Sequence, residues 1–151
     1  FELYYSLGNA YNRKLDYERA KKQYQKAIEQ PILPILKIGA YNNLGNLQEA
    51  GQALLQTIKL DPNFALGYYN LGMVLKSMGQ TDKAIAAYQK AIELNPNYAP
   101  AYQNLGVVFY QTGYMKESIE TFQRAIALYE GQNPQLAKEL RQNLKRIGLV
   151  I

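Results

Sequence analysis

Leu-Gly pairs recur at Leu7-Gly8, Leu44-Gly45, Leu71-Gly72 and Leu105-Gly106, each with a tyrosine three residues before its leucine: Tyr4, Tyr41, Tyr68 and Tyr102. Twelve residues after three of the glycines stands a small residue (Ala20, Ala84, Ser118). Four further on comes an aromatic (Tyr24, Tyr88, Phe122), and three beyond that an alanine (Ala27, Ala91, Ala125). The third and fourth units keep a separation of 34 residues at every landmark. A repeat of this length is one supersecondary unit, which buries its apolar face only by stacking on its neighbours.

Each landmark has a physical reading. Tyr68, Leu71 and Leu75 follow helical spacing and form one buried stripe. Gly72 falls inside that helix, where glycine costs about 1 kcal/mol against alanine. A helix accepts that cost where a neighbour must approach closely. Ala84 and Ala91 on the following helix are small for the same reason, and Tyr88 fills the space beside them. Asp61-Pro62 and Asn95-Pro96 end the second helix of their units, since proline cannot continue it. The chain is 48% apolar and 19% charged, which supports a packed core rather than disorder.

An aromatic, then Leu-Gly, with a downstream alanine, aromatic and closing proline at a period near 34, resembles the tetratricopeptide repeat (TPR). The resemblance runs from residue 1 to about 130. It implies an all-α fold, a right-handed TPR superhelix (α-solenoid) of four helix pairs and a C-terminal capping helix. The chain is then a single TPR domain over 1–151, with repeats at about 1–34, 35–64, 65–98 and 99–132. The helices are expected at about 2–14 and 17–30, 34–47 and 48–60, 65–78 and 81–94, and 99–112 and 115–130. A ninth helix, about 133–148, starts at Asn133-Pro134, with Asn as cap and Pro in the first turn. Leu136, Leu140, Leu144 and Ile147 would pack it on the last repeat, with Lys138, Glu139, Arg141, Lys145 and Arg146 outward. The crossing residues Gly8, Gly45, Gly72, Gly106, Ala20, Ala84, Ala27, Ala91 and Ala125 are expected to be buried.

The period breaks twice. Leu7 to Leu44 is 37 residues, three too many, and the excess falls in Gln30-Pro31-Ile32-Leu33-Pro34, where two prolines exclude a continuous helix. Gly45 to Ala50 is five residues where other units have twelve. Either the second repeat carries a true seven-residue deletion with a fused helix, or a loop is absent between Leu47 and Gln48. The second reading is preferred, with the two Cα atoms on the order of 10 Å apart, the spacing of packed helices. The chain opens at Phe1 and reads as a fragment of something longer.

Catalysis finds little support. With no histidine and no cysteine, a His-based triad, a Cys nucleophile and zinc thiolate sites are excluded. Ser6, Ser77 and Ser118 lie in no nucleophile elbow, and Gly72 to Gly79 lacks the Lys-Ser/Thr of a phosphate loop. Glu117 and Glu120 read as solvated helix-face charges beside Lys116 and Arg124. The reading is a non-enzyme with no cofactor and no metal. No apolar run approaches the roughly 18 residues of a membrane span, and the protein is expected to be cytoplasmic.

The first helix of each pair presents a face away from the buried stripe, which lines the concave side of a stacked array. Before the Leu-Gly pairs stand Ser6, Asn43, Asn70 and Asn104. An amide both donates and accepts, so an asparagine ladder can hold a peptide backbone whatever its sequence. The ladder resembles the TPR array of O-linked N-acetylglucosamine transferase, which implies groove asparagines holding extended polypeptide. Tyr5, Asn9, Asn46, Tyr69, Met73, Lys76, Gln103, Val107, Tyr110 and Gln111 surround it, with Tyr5, Tyr69 and Tyr110 expected exposed in the groove. Tyr4, Tyr24, Tyr41, Tyr88 and Tyr102 are assigned to the core.

Some TPR domains clamp the acidic C-terminus of heat-shock chaperones. Here Tyr5, Leu66 and Asn70 stand where that clamp needs cations, which argues against such partners. The net charge of +5 gathers elsewhere: on Arg19, Lys21, Lys22 and Lys26, and on Lys138, Arg141, Lys145 and Arg146. Nucleic acid is disfavoured, because Lys76 alone does not interleave cations with the groove aromatics. The expected function is a protein-interaction scaffold binding a peptide or protein segment in its groove. The alternative is a regulatory, substrate-presenting array of a larger enzyme such as a glycosyltransferase. Open repeat ends leave a route to self-association.

Overall fold

The structure, a computed structural model, describes residues 45–149 together with Arg19, Lys22, Gln23, Gln25 and Lys26. Those five earlier residues are helical, inside the helix expected at 17–30. The chain divides into two compact units, Phe1–Pro62 and Asn63–Ile151. In the first unit the described element is α1, Leu47–Leu60, which buries Ala50, Ala53 and Leu54.

The second unit contains α2 (Ala65–Ser77), α3 (Thr81–Leu94), α4 (Ala99–Thr112), α5 (Met115–Gln132) and α6 (Pro134–Arg146). No strand occurs among the described residues. The architecture is an all-α solenoid of helix pairs. α2 pairs with α3 and α4 with α5; α3 packs on α4, α6 on α5, and the first helices α2 and α4 touch each other.

The close crossings fall where the small residues lie. Gly72 and Gly106 are buried, and Ala84, Ala91 and Ala125 are wholly inaccessible. The ring of Tyr88 lies in the hollow at Gly72, and the ring of Phe122 in that at Gly106. Ser118 takes the place that Ala84 holds one repeat earlier. Its buried hydroxyl donates to the Gly106 carbonyl at 2.9 Å, which offsets the cost of burying it.

Helix ends follow their local chemistry. α3 closes at Asn95, whose N–H reaches the Ala91 carbonyl, just before Pro96. α5 runs on past the expected end at 130, because no proline stands there and the next stop is Asn133-Pro134. The Asn133 side chain accepts from the Leu136 N–H, as expected of a cap. α6 buries Ala137, Leu140 and Leu144.

Three expectations are corrected. Leu136 and Ile147 are exposed, at 40% and 50%, and are not part of the seam. Instead Gly148 turns left-handed (φ 82°) and folds Leu149 back, its N–H on the Leu144 carbonyl at 2.9 Å. This is a Schellman closure, with the apolar contact that accompanies it. The second correction concerns Leu47 and Gln48, which are consecutive residues of the continuous helix α1, so no break separates them. The third follows from it: Gly45 is exposed with φ 75°, and no atom would contact a Cβ there. It stands two residues before α1, as Gly79 (φ 71°) and Gly113 (φ 83°) stand before α3 and α5. Gly45-Asn46 is thus a turn leading into α1, and neither residue is helical. Gly8, Ala20 and Ala27 lie outside the described residues.

Candidate functional site

α2 and α4 lie side by side, and their sequences, ALGYYNLGMVLKS and APAYQNLGVVFYQT, contain no aspartate or glutamate. Lys76 is the one charged side chain on the pair. Seven of the expected site residues on these helices, Tyr69, Asn70, Met73, Lys76, Gln103, Asn104 and Tyr110, are half-buried. Burial on one side and solvent on the other is what a helix in a two-layer stack imposes on residues beside its buried stripe.

The contacts separate these residues. Asn104 donates its amide Nδ2 to the Tyr69 hydroxyl at 3.0 Å, across the α2–α4 junction. Gln103 accepts at Oε1 from the Tyr129 hydroxyl at 2.9 Å. Tyr69 meets the Tyr98 ring edge-on, with centroids 5.0 Å apart at 83°, and lies 6.0 Å from the Tyr88 ring. Burial raises the Tyr69 hydroxyl above the usual phenol range, and the Asn104 hydrogen bond partly offsets this. Burial also raises Tyr98 and Tyr129, with the neighbouring Tyr69 phenol adding to both. The Tyr69 and Tyr129 phenols thus each bond one of the two α4 amides, and Tyr98 stands against Tyr69.

Met73 packs with Tyr69 on the core formed by Ala84, Tyr88, Leu105 and Val108, while Val107 and Tyr110 pack on the next core along. Tyr69 and Tyr110 are thus partly core residues, because rings so large beside the stripe reach into it. Tyr102 is half-buried rather than fully core, and the Arg124 guanidinium sits over its ring at 6.0 Å. Asn46 is exposed and precedes α1 without a side-chain capping bond. Gln111 is exposed near the end of α4.

Tyr5, Asn9 and Asn43 lie outside the described residues. Asn43 shares with Asn70 and Asn104 its place before a Leu-Gly pair. Gly45 of that pair is a turn residue, whereas Gly72 and Gly106 lie inside helices. The described ladder is Asn70 and Asn104.

Tyr98 and Tyr129 were not anticipated as site residues. An aromatic two residues after each closing proline, Phe64 and Tyr98, was the available signal for the first. Tyr129 carries no comparable mark.

Among the described residues no group of three or more His, Cys, Asp or Glu side chains could hold a metal. No described helix is long and apolar enough to cross a membrane.

Comparison with solved structures places the fold among helical repeats. Residues covering 87% of this chain align with 77% of MamA 41-end from Desulfovibrio magneticus RS-1, at 26% identity and a TM-score of 0.67. The TPR2B domain of yeast Sti1, solved as a pHsp70 complex, is 28% identical over 72% of this chain and 88% of that one, with a TM-score of 0.68. YrrB, described as a TPR protein with an unusual peptide-binding site, shares the fold at 24% identity and a TM-score of 0.66, over 92% of this chain and 73% of its own. A family model described as tetratricopeptide repeat matches residues 1–30, 39–64 and 99–132. Two further TPR models match 53–86 and 72–113. With matched repeats along most of its length and the glycine–aromatic crossings in place, the chain belongs to the tetratricopeptide repeat family.

Proposed function

We propose that this protein is a non-catalytic interaction scaffold whose α2–α4 face binds an extended segment of another polypeptide. The observation that carries the reading is the chemistry of that face. Amides and phenols line it at Tyr69, Asn70, Gln103 and Asn104, with no carboxylate on either helix. Amides and phenols satisfy backbone N–H and C=O groups without selecting charge, and tyrosine supplies contact area at little entropic cost. The yeast Sti1 domain, solved with a pHsp70 partner, supports a peptide-binding role for this class of repeat. The cations that a dicarboxylate clamp needs are missing at Leu66 and Asn70, which favours a partner read through its backbone.

The experiment is selection of a random twelve-residue displayed peptide library on the whole chain. Enriched peptides should compete for one site and lose affinity on an Asn70→Ala/Asn104→Ala variant that melts like the wild type. Binding unchanged by that double substitution would remove the α2–α4 face from the reading.

A further inference from the structure

We infer that Tyr69 and Asn104 form one composite docking point, which holds the N–H and C=O of a single extended residue of the bound segment. The inference rests on the peptide-binding reading above and names the atoms that would carry it.

The argument starts from hydrogen-bond valence. The Tyr69 oxygen accepts from Asn104 Nδ2 at 3.0 Å, so the phenol's own proton must point elsewhere. Among the described residues it meets no acceptor, and Asn104 Oδ1 meets no donor. The pair therefore offers one strong donor and one strong acceptor side by side. An extended residue presents its own N–H and C=O on one edge, and in an antiparallel ladder it exchanges both bonds with a single partner residue. Tyr69 and Asn104 reproduce that partner with side chains drawn from adjacent repeats.

The pair is also held in place. The Tyr98 ring stands edge-on to Tyr69 at 5.0 Å, and the Tyr88 ring lies at 6.0 Å behind it. A donor fixed before binding loses little freedom on binding. Asn70 differs, since its amide has no hydrogen bond among the described residues. The ladder is thus unequal: one rung is clamped by a phenol and the other is not. Gln103, next to Asn104, accepts from Tyr129 at its oxygen, which orients the amide so that its NH2 adds a second carbonyl-seeking group. With no carboxylate on α2 or α4, the occupant is a polypeptide of neutral backbone chemistry rather than a cationic segment.

The test uses a twelve-residue peptide selected on the whole chain and a series in which each backbone amide in turn becomes an ester. An ester removes one N–H and weakens one carbonyl acceptor. Tyr69→Phe, which keeps the ring, should weaken the parent peptide by on the order of three- to tenfold, the worth of one hydrogen bond. One ester should cost a similar factor on the wild type and almost nothing further on Tyr69→Phe. Equal ester penalties on both proteins, or a Tyr69→Phe affinity matching wild type, would overturn the docking point and leave peptide binding standing. Failure of the selection to enrich any peptide would overturn both.

Discussion

A Cβ built on Gly72 would lie 2.6 Å from Cε1 of Tyr88, closer than such atoms come in folded proteins. Gly106 stands the same way to Phe122, at 2.9 Å from Cδ1. The glycine and the ring 16 residues on are therefore one device, repeated at the 34-residue period. Gly72→Ala gains roughly 1 kcal/mol of helix propensity but forces the buried ring to move. Overpacking of this kind costs about 1–3 kcal/mol, so the variant should be destabilised on balance. Gly131→Ala is the control: it lies in α5 with nothing within 4 Å of a Cβ. It should be stabilised by about 0.5–1 kcal/mol. Urea unfolding of both variants checks the pair, and a stabilised Gly72→Ala would show that the crossing is looser than described.

Tyr88 itself carries an unused group. Its side chain is wholly buried, yet its hydroxyl has no hydrogen-bond partner among the described residues. Phe122, one repeat on, fills the equivalent hollow without a hydroxyl. Tyr88→Phe should leave stability unchanged or raise it by about 1 kcal/mol, since an unpaired buried donor is a cost. Tyr88→Ala should lose about 3–5 kcal/mol through the cavity it leaves. Thermal melts distinguish the two, and a clear loss in Tyr88→Phe would reveal a partner for the hydroxyl.

The turn glycines make the opposite case from the crossing glycines. Gly79 and Gly113 have φ of 71° and 83° with open space around them. Alanine there meets no neighbour but strains its own backbone, by roughly 1–2 kcal/mol. Gly113→Ala should therefore be destabilised by that amount, and Gly113→Asn by less, because asparagine tolerates the left-handed region. Equal losses for the two, measured by denaturant midpoint, would contradict a left-handed turn.

Alkaline pH should unfold the protein through its buried phenols. Burial lifts Tyr88 far above the ordinary phenol value, and the neighbouring Tyr69 adds to it. Below about pH 10 both folded and unfolded chains keep the proton, and stability is full. Above it the unfolded chain loses a proton that the native state retains, so stability falls as pH rises. The slope for Tyr88 is about 1.4 kcal/mol per pH unit. Denaturant midpoints from pH 8 to 11 should fall less steeply in Tyr88→Phe than in the wild type. Parallel profiles would show that Tyr88 is not the group responsible.

Over residues 65–132 the repeat period by itself determined the helix pairs, the small-residue crossings and the aromatic that fills each one. These are local in the relevant sense: a stripe at helical spacing, and a small residue where two helices meet, are written at fixed offsets whatever the rest of the chain does. The Asn133-Pro134 start of α6 was legible for the same reason, because a cap is a few consecutive residues. Two glycines after leucine are written alike, however, and Gly45 belongs to a different set from Gly72 and Gly106: it stands 34 residues before Gly79 and 68 before Gly113, the other turn glycines, and the left-handed turn is what exposes the difference. Gly72 lies under the Tyr88 ring, whereas Gly45 turns the backbone in open space, so the apparent loss of seven residues was a turn in disguise. Leu149 could not be chosen over Ile147 from spacing, since the left-handed turn at Gly148 breaks the helical period between them. The site divides the same way. Tyr69, Asn70, Gln103 and Asn104 could be placed on one face from their offsets. That Tyr69 clamps Asn104, and Tyr129 clamps Gln103, depends on side chains 35 and 26 residues apart meeting in space. Long-range pairing of that kind leaves no periodic mark, and only the fold decides it.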